Sequence, residues 1–534
     1  MKKHILFSVL GSMALTALTG CYDLSTEPYN QYVTEDQKTQ VKNDNPEMAL
    51  ASITGITGIF STFQQVLDNH LDYGIPSVML WMDSRGVDMV SDDLGYNWYT
   101  TAAEMDDCDP SSYISSLAWR HYYRQVFAAN AAIKSLDPES EDPEIQFYLA
   151  QALAMRANDY FNLAQIFQFT YVGNEDKPCV MLITDKNDEQ VAVEGCTRST
   201  VKETYDLIIS DIDEAIRLLS ESGVSPEQIL DSKPKRLVSL ATAYGIRARV
   251  NLVMNKWGDA AADAEAAIKN FKGAPMSQAT ASVPGLTSLN ETNWMWGIAI
   301  AETDRVVTSG IINWPSHLGS LCYGYASVGA WRKCNIALYN SIPRTDVRRN
   351  WFLDSDGYSA GLSDSQAAYC ASNDVPGYTQ VKFAPYNGEL GTSTNASDIP
   401  LMRVEEMYYI LAEATAMNGG DGASILNQFV RTYRDPAYNF AGSGADVQEE
   451  CWQQRRIELW GEGLTTYDLL RLKKPFDRRG GGWEAKWVYD IQPNDNVLII
   501  PLPNSEINGN KAVTQADNNP SAGIPTSVAD YEYE

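Results

Sequence analysis

Residues 447–474, VQEECWQQRRIELWGEGLTTYDLLRLKK, bring apolar spacing, charge spacing and a helix breaker into one stretch of chain. Trp452, Ile457, Leu459 and Trp460 supply an apolar stripe, Gly461 and Gly463 interrupt it, and Leu469, Leu470 and Leu472 restart it. The pattern predicts a helix, a glycine-hinged corner and a second helix. Arg455 and Glu458 lie three apart and Glu458 and Glu462 four apart, so they share one helical face, while Asp468 and Arg471 share another. Charges set among buried aromatics need partners. An internal salt-bridge cluster locking the corner is therefore expected in preference to a catalytic carboxylate pair.

Helical spacing recurs through much of the chain. In 119–136 it puts Tyr122, Val126, Ala129, Ile133 and Leu136 on one stripe; in 144–169 it does the same for Leu149, Leu153, Arg156, Tyr160 and Leu163. Ala150, Ala152, Ala154 and Ala157 let neighbours approach that second helix closely. A further helix is expected over 200–219. Residues 236–269 then read as a helix, a turn at 255–259 and an Ala-rich helix, with Tyr244, Ala248, Leu252, Trp257, Ala260 and Ala264 spaced like a tetratricopeptide unit. Such a unit cannot bury its apolar face alone, so the helices at 119, 144 and 200 are expected to stack on it. Between 274 and 400 the character changes, with Gly, Ser, Pro and Thr rising and aromatics placed among turn residues. Recognition residues concentrate in long loops on rigid scaffolds, which makes this insert the place to look for a site. Helix returns over 400–416 on the stripe Val404, Met407, Tyr408 and Leu411.

The first twenty residues carry Lys2 and Lys3, an apolar run over 5–18, and then Leu18, Thr19, Gly20 and Cys21. Small residues before a Cys that becomes the new N-terminus read as a bacterial lipoprotein leader, with acyl chains such as palmitate on Cys21. The apolar run is too short to span a bilayer, and no later stretch approaches that length. Residues 21–45 are polar and read as a tether. A net charge of −28 repels phosphate backbones, which disfavours nucleic acid as a partner. The 29 Tyr and 13 Trp outnumber the 14 Phe, a bias towards aromatics suited to wet, half-exposed recognition faces. Seven further cysteines are irregularly spaced without a CxxC, leaving Cys179 with Cys196 or Cys322 with Cys334 as pairings across loops. His70, His121 and His317 form no zinc pattern, and no metal or other cofactor is implied.

The 447–474 segment resembles the C-terminal signature of the SusD/RagB family, surface nutrient-binding lipoproteins of the Bacteroidetes. It matches at Arg455, Arg456, Glu458, Leu459, Glu462, Gly463, Asp468, Leu469 and Arg471. Thr465 departs, standing where the family has Arg. Asn130 in the 119–136 helix, Arg403, Glu406, Tyr408, Ala412, Glu413 and Ala414 in the 400–416 helix, and the closing stretch 498–510 also resemble family motifs. Residues 342–352 with Lys382 and Phe383 look like family positions too, and are read as structural. The resemblance implies a mostly α fold, a tetratricopeptide-like helical scaffold with a loop-rich insert. It implies a leader over 1–20, a lipid-anchored tether over 21–45 and one SusD-like domain over 46–534, in which 46–273 is scaffold, 274–400 the ligand-face insert and 401–534 C-terminal helices packed on the scaffold. It further implies a non-catalytic lipoprotein on the outward face of the outer membrane, which captures an oligosaccharide and delivers it to a SusC-like TonB-dependent transporter. Acidic residues after Cys21 resemble the surface-export signals of such lipoproteins.

Aromatics without a helical stripe are the candidate ligand contacts. Tyr96, Asn97, Trp98 and Tyr99 follow SDDLG in a polar, turn-rich stretch, and are read as a sugar-stacking platform against the alternative of a buried turn. Trp314, Tyr323 and Tyr325, in a Gly- and Ser-rich loop, are read the same way. Trp294 and Trp296 share a strand face before an apolar run and are read as core. The loop 354–364 opens like a calcium loop but lacks the closing Glu, so it reads as a solvated turn. Two rival functions remain, a helical-toroid glycoside hydrolase and a helical-repeat lipoprotein that binds peptide or protein.

Overall fold

Where apolar residues recur at three and four, the chain folds into helices that stack in chain order. The computed structural model describes residues 46–94 and 96–531; the expected leader, Cys21 and the 21–45 tether lie outside these residues. The long helices of the first half are α1 (Pro46–Gly58), α2 (Ile75–Ser84), α3 (Tyr113–Lys134), α4 (Pro143–Phe167), α5 (Val201–Ser222), α6 (Leu240–Val253) and α7 (Trp257–Asn270). Their starts follow from local chemistry. Asp142 caps α4 ahead of Pro143, Thr200 and Glu203 form a capping box on α5, and Ser239 caps α6. Asn255, at φ 56°, makes the left-handed turn between α6 and α7. Each helix from α3 to α7 packs on the next, and Ala150, Ala152, Ala154 and Ala157 of α4 are completely buried between its neighbours. The tetratricopeptide-like stacking expected of these segments is what forms.

The stack continues across a long gap in sequence. α7 packs on α8 (Val404–Met417), and α8 receives α9 (Gly422–Tyr433) and α10 (Ala445–Glu458); α11 (Thr465–Arg471) follows the corner. Strands among the described residues are short: β1 (Met89–Val90), β2 (Trp294–Ile298), β3 (Lys333–Cys334), β4 (Ile399–Arg403), β5 (Phe476–Asp477) and β6 (Asp490–Ile491). They form antiparallel pairs β1–β3, β2–β4 and β5–β6. The β2–β4 pair, running from Trp294 opposite Arg403 to Ile298 opposite Ile399, zips the insert shut where it meets the scaffold. Residues 400–403 were expected to begin a helix, and this is corrected: they are strand. Ile399 to Arg403 pair with β2 and Arg403 keeps an extended backbone at φ −120° and ψ 149°, so α8 starts only at Val404.

One apolar core runs from Ala49 to Val513 through scaffold and insert, and Trp294 and Trp296 lie in it as expected. So do Tyr339 and Trp351, which makes much of the insert packed structure instead of binding loop. Asp354 accepts hydrogen bonds from the backbone N–H of Asp356 and Tyr358, closing the 354–364 loop as a turn. The seven described cysteines are all free, so neither expected pairing forms.

The 447–474 segment folds as α10, a corner and α11. At φ 78° and 75°, Gly461 and Gly463 turn the chain, and a Cβ on either would come within 3.0 Å of Phe383 or Met79. The salt-bridge cluster is present, and Asp468 and Arg471 pair locally at 2.7 Å as expected, but Glu458 and Glu462 take distant partners instead of Arg455. Glu458 accepts from Arg434 at 2.7 Å, Arg403 at 3.0 Å and Arg348 at 3.3 Å. Glu462 takes Lys382 at 2.6 Å and a fork from Arg403 at 2.7 and 2.8 Å. Burial opposes the charge on Glu458, yet Arg434, Arg403 and Arg348 outweigh it and hold its carboxyl well below the usual range. Arg455 turns away to Asp468 at 2.6 Å and Glu406 at 3.3 Å. Removing one partner of such a cluster strands the others in the core. Glu458→Ala should therefore cost about 3 to 5 kcal/mol in denaturant unfolding, and a loss below about 1 kcal/mol would show the cluster to be dispensable.

Thr465 has a physical consequence. Its hydroxyl lies 3.3 Å from Asp83 Oδ1, Gly463 N–H donates to Oδ2 at 2.8 Å, and no ion pair reaches this buried carboxyl among the described residues. Burial pushes its pKa up to about 7. The folded state thus keeps a proton that the unfolded chain releases above about pH 4, so the stability it contributes is full below that value and is lost as pH rises to about 7. Asp83→Asn should flatten the decline of melting temperature between these values. Parallel pH curves for the two proteins would contradict this account.

Candidate functional site

Three segments bring aromatic rings to one face. The loop between α1 and α2 supplies His70, the turn after β1 supplies Trp98, and the insert supplies Tyr325. Trp98 stacks on His70 with centroids 5.0 Å apart at 24°, and His70 meets Tyr325 at 5.8 Å with a hydrogen bond between its Nδ1 and the phenol oxygen. Trp98 and Tyr325 stand edge to face at 6.5 Å. All three are half-buried, while Tyr96 and Tyr323 are 75% and 51% exposed and flank them in sequence. Leu94 and Val328 are exposed as well, giving the face an apolar margin.

A stacked column holds this face from below. Tyr325 lies on His317 at 4.8 Å and 18°, and His317 lies on the buried Tyr73 at 5.4 Å and 13°. His317 Nε2 donates to the carbonyl of His70 at 3.0 Å, which fixes its neutral tautomer. Burial, with the Arg332 charge adding to it, lowers the pKa of His317 to about 3, and partial burial lowers that of His70. The site therefore carries uncharged imidazoles at neutral pH.

The structure places the seven residues expected to form the platform in two groups. Trp98 and Tyr325 come together, Tyr323 is two residues from Tyr325, and Tyr96 is two from Trp98. The other three residues are corrections, since none presents a face to solvent. Tyr99 is completely buried, its hydroxyl bonded to that of Tyr73 and its ring under the Arg332 guanidinium at 5.2 Å. Trp314 is buried edge-on against Phe383 at 4.9 Å. Asn97 is buried because its side chain braces the turn: Oδ1 accepts from Tyr99 N–H and Arg332, each at 3.1 Å, and Nδ2 donates to the Asp92 carbonyl at 3.2 Å. His70 was passed over, because sequence weighed the histidines only as metal ligands.

The arrangement suits stacking on the apolar face of a ring, with phenol and imidazole edges for hydroxyls. Among the described residues no group of His, Cys, Asp and Glu is set to hold a metal ion. Glu458 and Glu462, weighed as a catalytic pair, are spent on buried ion pairs. No helix among the described residues is long and apolar enough to cross a membrane.

Two family models match the chain: one described as starch-binding associating with outer membrane over residues 56–252, and that of the SusD family over 354–520. The chain belongs to the SusD/RagB family. A search of the curated proteins finds no match. Among solved structures, a SusD-like carbohydrate binding protein from Bacteroides vulgatus aligns with a TM-score of 0.72 at 22% identity, over 90% of this chain and 99% of that one. A SusD superfamily protein from Bacteroides thetaiotaomicron gives 0.69 at 20%, over 89% and 99%. Surface glycan-binding protein A from the same species, solved in complex with laminarihexaose, gives 0.62 at 16%, over 88% and 99%. These likenesses show the fold, a helical tetratricopeptide-like scaffold of SusD type.

Burial separates scaffold from face in a measurable way. Trp314→Ala should destabilise by about 3 to 5 kcal/mol, whereas Tyr323→Ala should stay within about 0.5 kcal/mol of the parent. Equal losses in denaturant melts would mean that Tyr323 packs as core.

Proposed function

We propose that this protein is a surface glycan-binding lipoprotein that captures an oligosaccharide on the Trp98, His70 and Tyr325 face. The observation that carries this reading is the set of three half-exposed rings, held by a buried stack, with no charged group among them. Rings so fixed lose little freedom on binding, which is what stacking against a pyranose requires. Tyr96 and Tyr323 serve as outer contacts, while Asn97, Tyr99 and Trp314 act from below by holding the turn and the insert in place. The complex of a similarly folded protein with laminarihexaose supports a saccharide as the ligand class. We infer binding without catalysis, since the face offers no acid and base pair. Cys21 carries the lipid, residues 21–45 lead outward from the outer membrane, and a SusC-like TonB-dependent transporter receives the cargo.

Truncating a stacking anchor commonly costs more than 1 kcal/mol, and about 1.4 kcal/mol is tenfold. Trp98→Ala should thus weaken glycan binding about tenfold or more, measured by titration calorimetry on the full-length protein, with the melting temperature nearly unchanged. Undiminished affinity with a lowered melting temperature would make Trp98 core and overturn the site. Release of reducing ends from the glycan, or binding confined to peptides, would overturn the function.

A further inference from the structure

A second concave region begins on the loop that carries His70. A cleft of about 560 Å³ lies along α3, lined by Trp119, Arg120, Tyr123, Arg124 and Phe127. A larger one of about 880 Å³ lies beyond it, lined by Phe63, Arg236, Arg305 and Tyr386. Gln65 and Arg124 line both, so the two are continuous. Arg120, Arg124 and Phe127 stand at i, i+4 and i+7 on the outer face of α3, opposite the buried Tyr122, Val126 and Ala129. Phe127 is 50% exposed there.

The charge in this groove runs against that of the whole chain, which has 69 acidic and 41 basic residues. Its carboxylates are already engaged. Glu302 accepts from Tyr386 at 2.9 Å, Asp304 from the Ala301 N–H at 2.8 Å, and Glu506 from Trp119 at 3.1 Å and Asn510 at 2.7 Å. Lys233 is paired with Asp398 at 2.7 Å. Arg120, Arg124, Arg236 and Arg305, by contrast, have no carboxylate partner among the described residues. Arg305 lies over the Phe63 ring at 4.8 Å, and the buried Nε of Arg236 has no acceptor. A guanidinium fork matches a planar carboxylate or a sulfate, and the exposed Phe127 and half-buried Phe63 and Tyr386 beside these forks suit a sugar face.

We propose that this groove is a second saccharide subsite, selective for sugars that bear a carboxylate or a sulfate. The proposal rests on the reading of the protein as glycan-binding. Gln65 and His70 are five positions apart in the chain, so the groove and the ring face are at most about 18 Å apart along the loop. One extended glycan can engage both.

The test titrates full-length wild type, Arg124→Gln/Arg305→Gln and Trp98→Ala with an oligogalacturonate, which bears carboxylates and no sulfate, a carrageenan oligosaccharide, which bears sulfates and no carboxylate, and laminarihexaose. Arg124 and Arg305 are exposed, so the double variant should keep the parent melting temperature. It should lose about tenfold or more in affinity for the oligogalacturonate, the sulfated oligosaccharide or both, and none for laminarihexaose. Which anionic arm responds identifies carboxylate or sulfate. Wild-type affinity for the responding glycan should fall as salt is raised towards 1 M, where the screening length is about 3 Å. Failure of both anionic glycans to bind, or affinities unaffected by the double substitution, would overturn the subsite. Loss of laminarihexaose binding in Trp98→Ala reports on the ring face separately, so either reading can fail while the other stands.

Discussion

Four carboxylates and four cations meet in the buried core around Glu458 and Glu462, and the position of the insert depends on that meeting. Arg348, Lys382, Arg403 and Arg434 face Asp346, Glu405, Glu458 and Glu462, so the cluster is formally neutral. Taking such groups from water costs several kcal/mol each, repaid only when every lone pair and proton finds a partner. Four segments of chain must therefore arrive together: the corner after α10, β4 with the start of α8, the end of α9, and the insert. Lys382 shows how tightly they are joined. Burial lowers its pKa to about 8 despite Glu462 beside it, and it also donates to the carbonyls of Glu458 and Trp460 at 2.9 and 2.8 Å, closing the C-terminal end of α10. A second set, Arg249, Arg455 and Arg471 with Glu406, Glu413 and Asp468, ties α6, α8, α10 and α11 in the same manner.

From this cluster a line of contacts leads to the ring face. Phe383, next to Lys382, packs edge-on against Trp314, and Trp314 begins the short helix Trp314–Leu318 that carries His317. His317 stacks beneath Tyr325 and holds the carbonyl of His70. Arg332, completely buried, donates to the carbonyl of His317 at 2.9 Å and to Asn97, joining the insert to the turn that bears Trp98. Trp314, Tyr99 and Asn97 thus work on the site from beneath it. They determine where Trp98 and Tyr325 stand, which is why residues next to the site in sequence need not belong to its surface.

Periodic features were legible in the sequence, and their partners were not. Helix stripes, caps and the glycine corner follow from spacings of a few residues, so 447–474 folds as read and the scaffold helices begin and end close to where their patterns do. The ion cluster was expected from charges beside aromatics, but Arg348 and Arg434 lie 110 and 24 residues from Glu458, beyond any local rule. Trp98 and Trp314 look alike in sequence, each among turn residues with no stripe. What divides them is tertiary: Trp314 is buried edge-on against Phe383, while Trp98, stacked on His70 and edge-on to Tyr325, stays half-buried. His70 carried no pattern at all, and it joins the site through a backbone carbonyl and a stack that only the folded chain creates.

The ring face and the cationic groove share the loop between α1 and α2, and the stiffness of that loop decides whether they can act on one ligand. Asp72 supplies it. Burial works against its charge, but the hydrogen bond and charge of His121 at 2.8 Å and the N–H groups of Leu67 and Val66 outweigh it and hold its pKa below the usual value. Gln64 closes the same loop by donating its N–H to the Asp72 carbonyl at 2.9 Å and its side chain to the Asn69 carbonyl at 3.2 Å. Two sites on a fixed loop present a fixed span. On the proposed reading, a glycan held at one end would then meet the other at a high effective concentration, which a floppy connection would dilute. The same buried carboxylate chemistry that seats the insert through Glu458 and Glu462 thus recurs at Asp72, where it sets the distance between an uncharged stacking face and a row of unpaired guanidiniums.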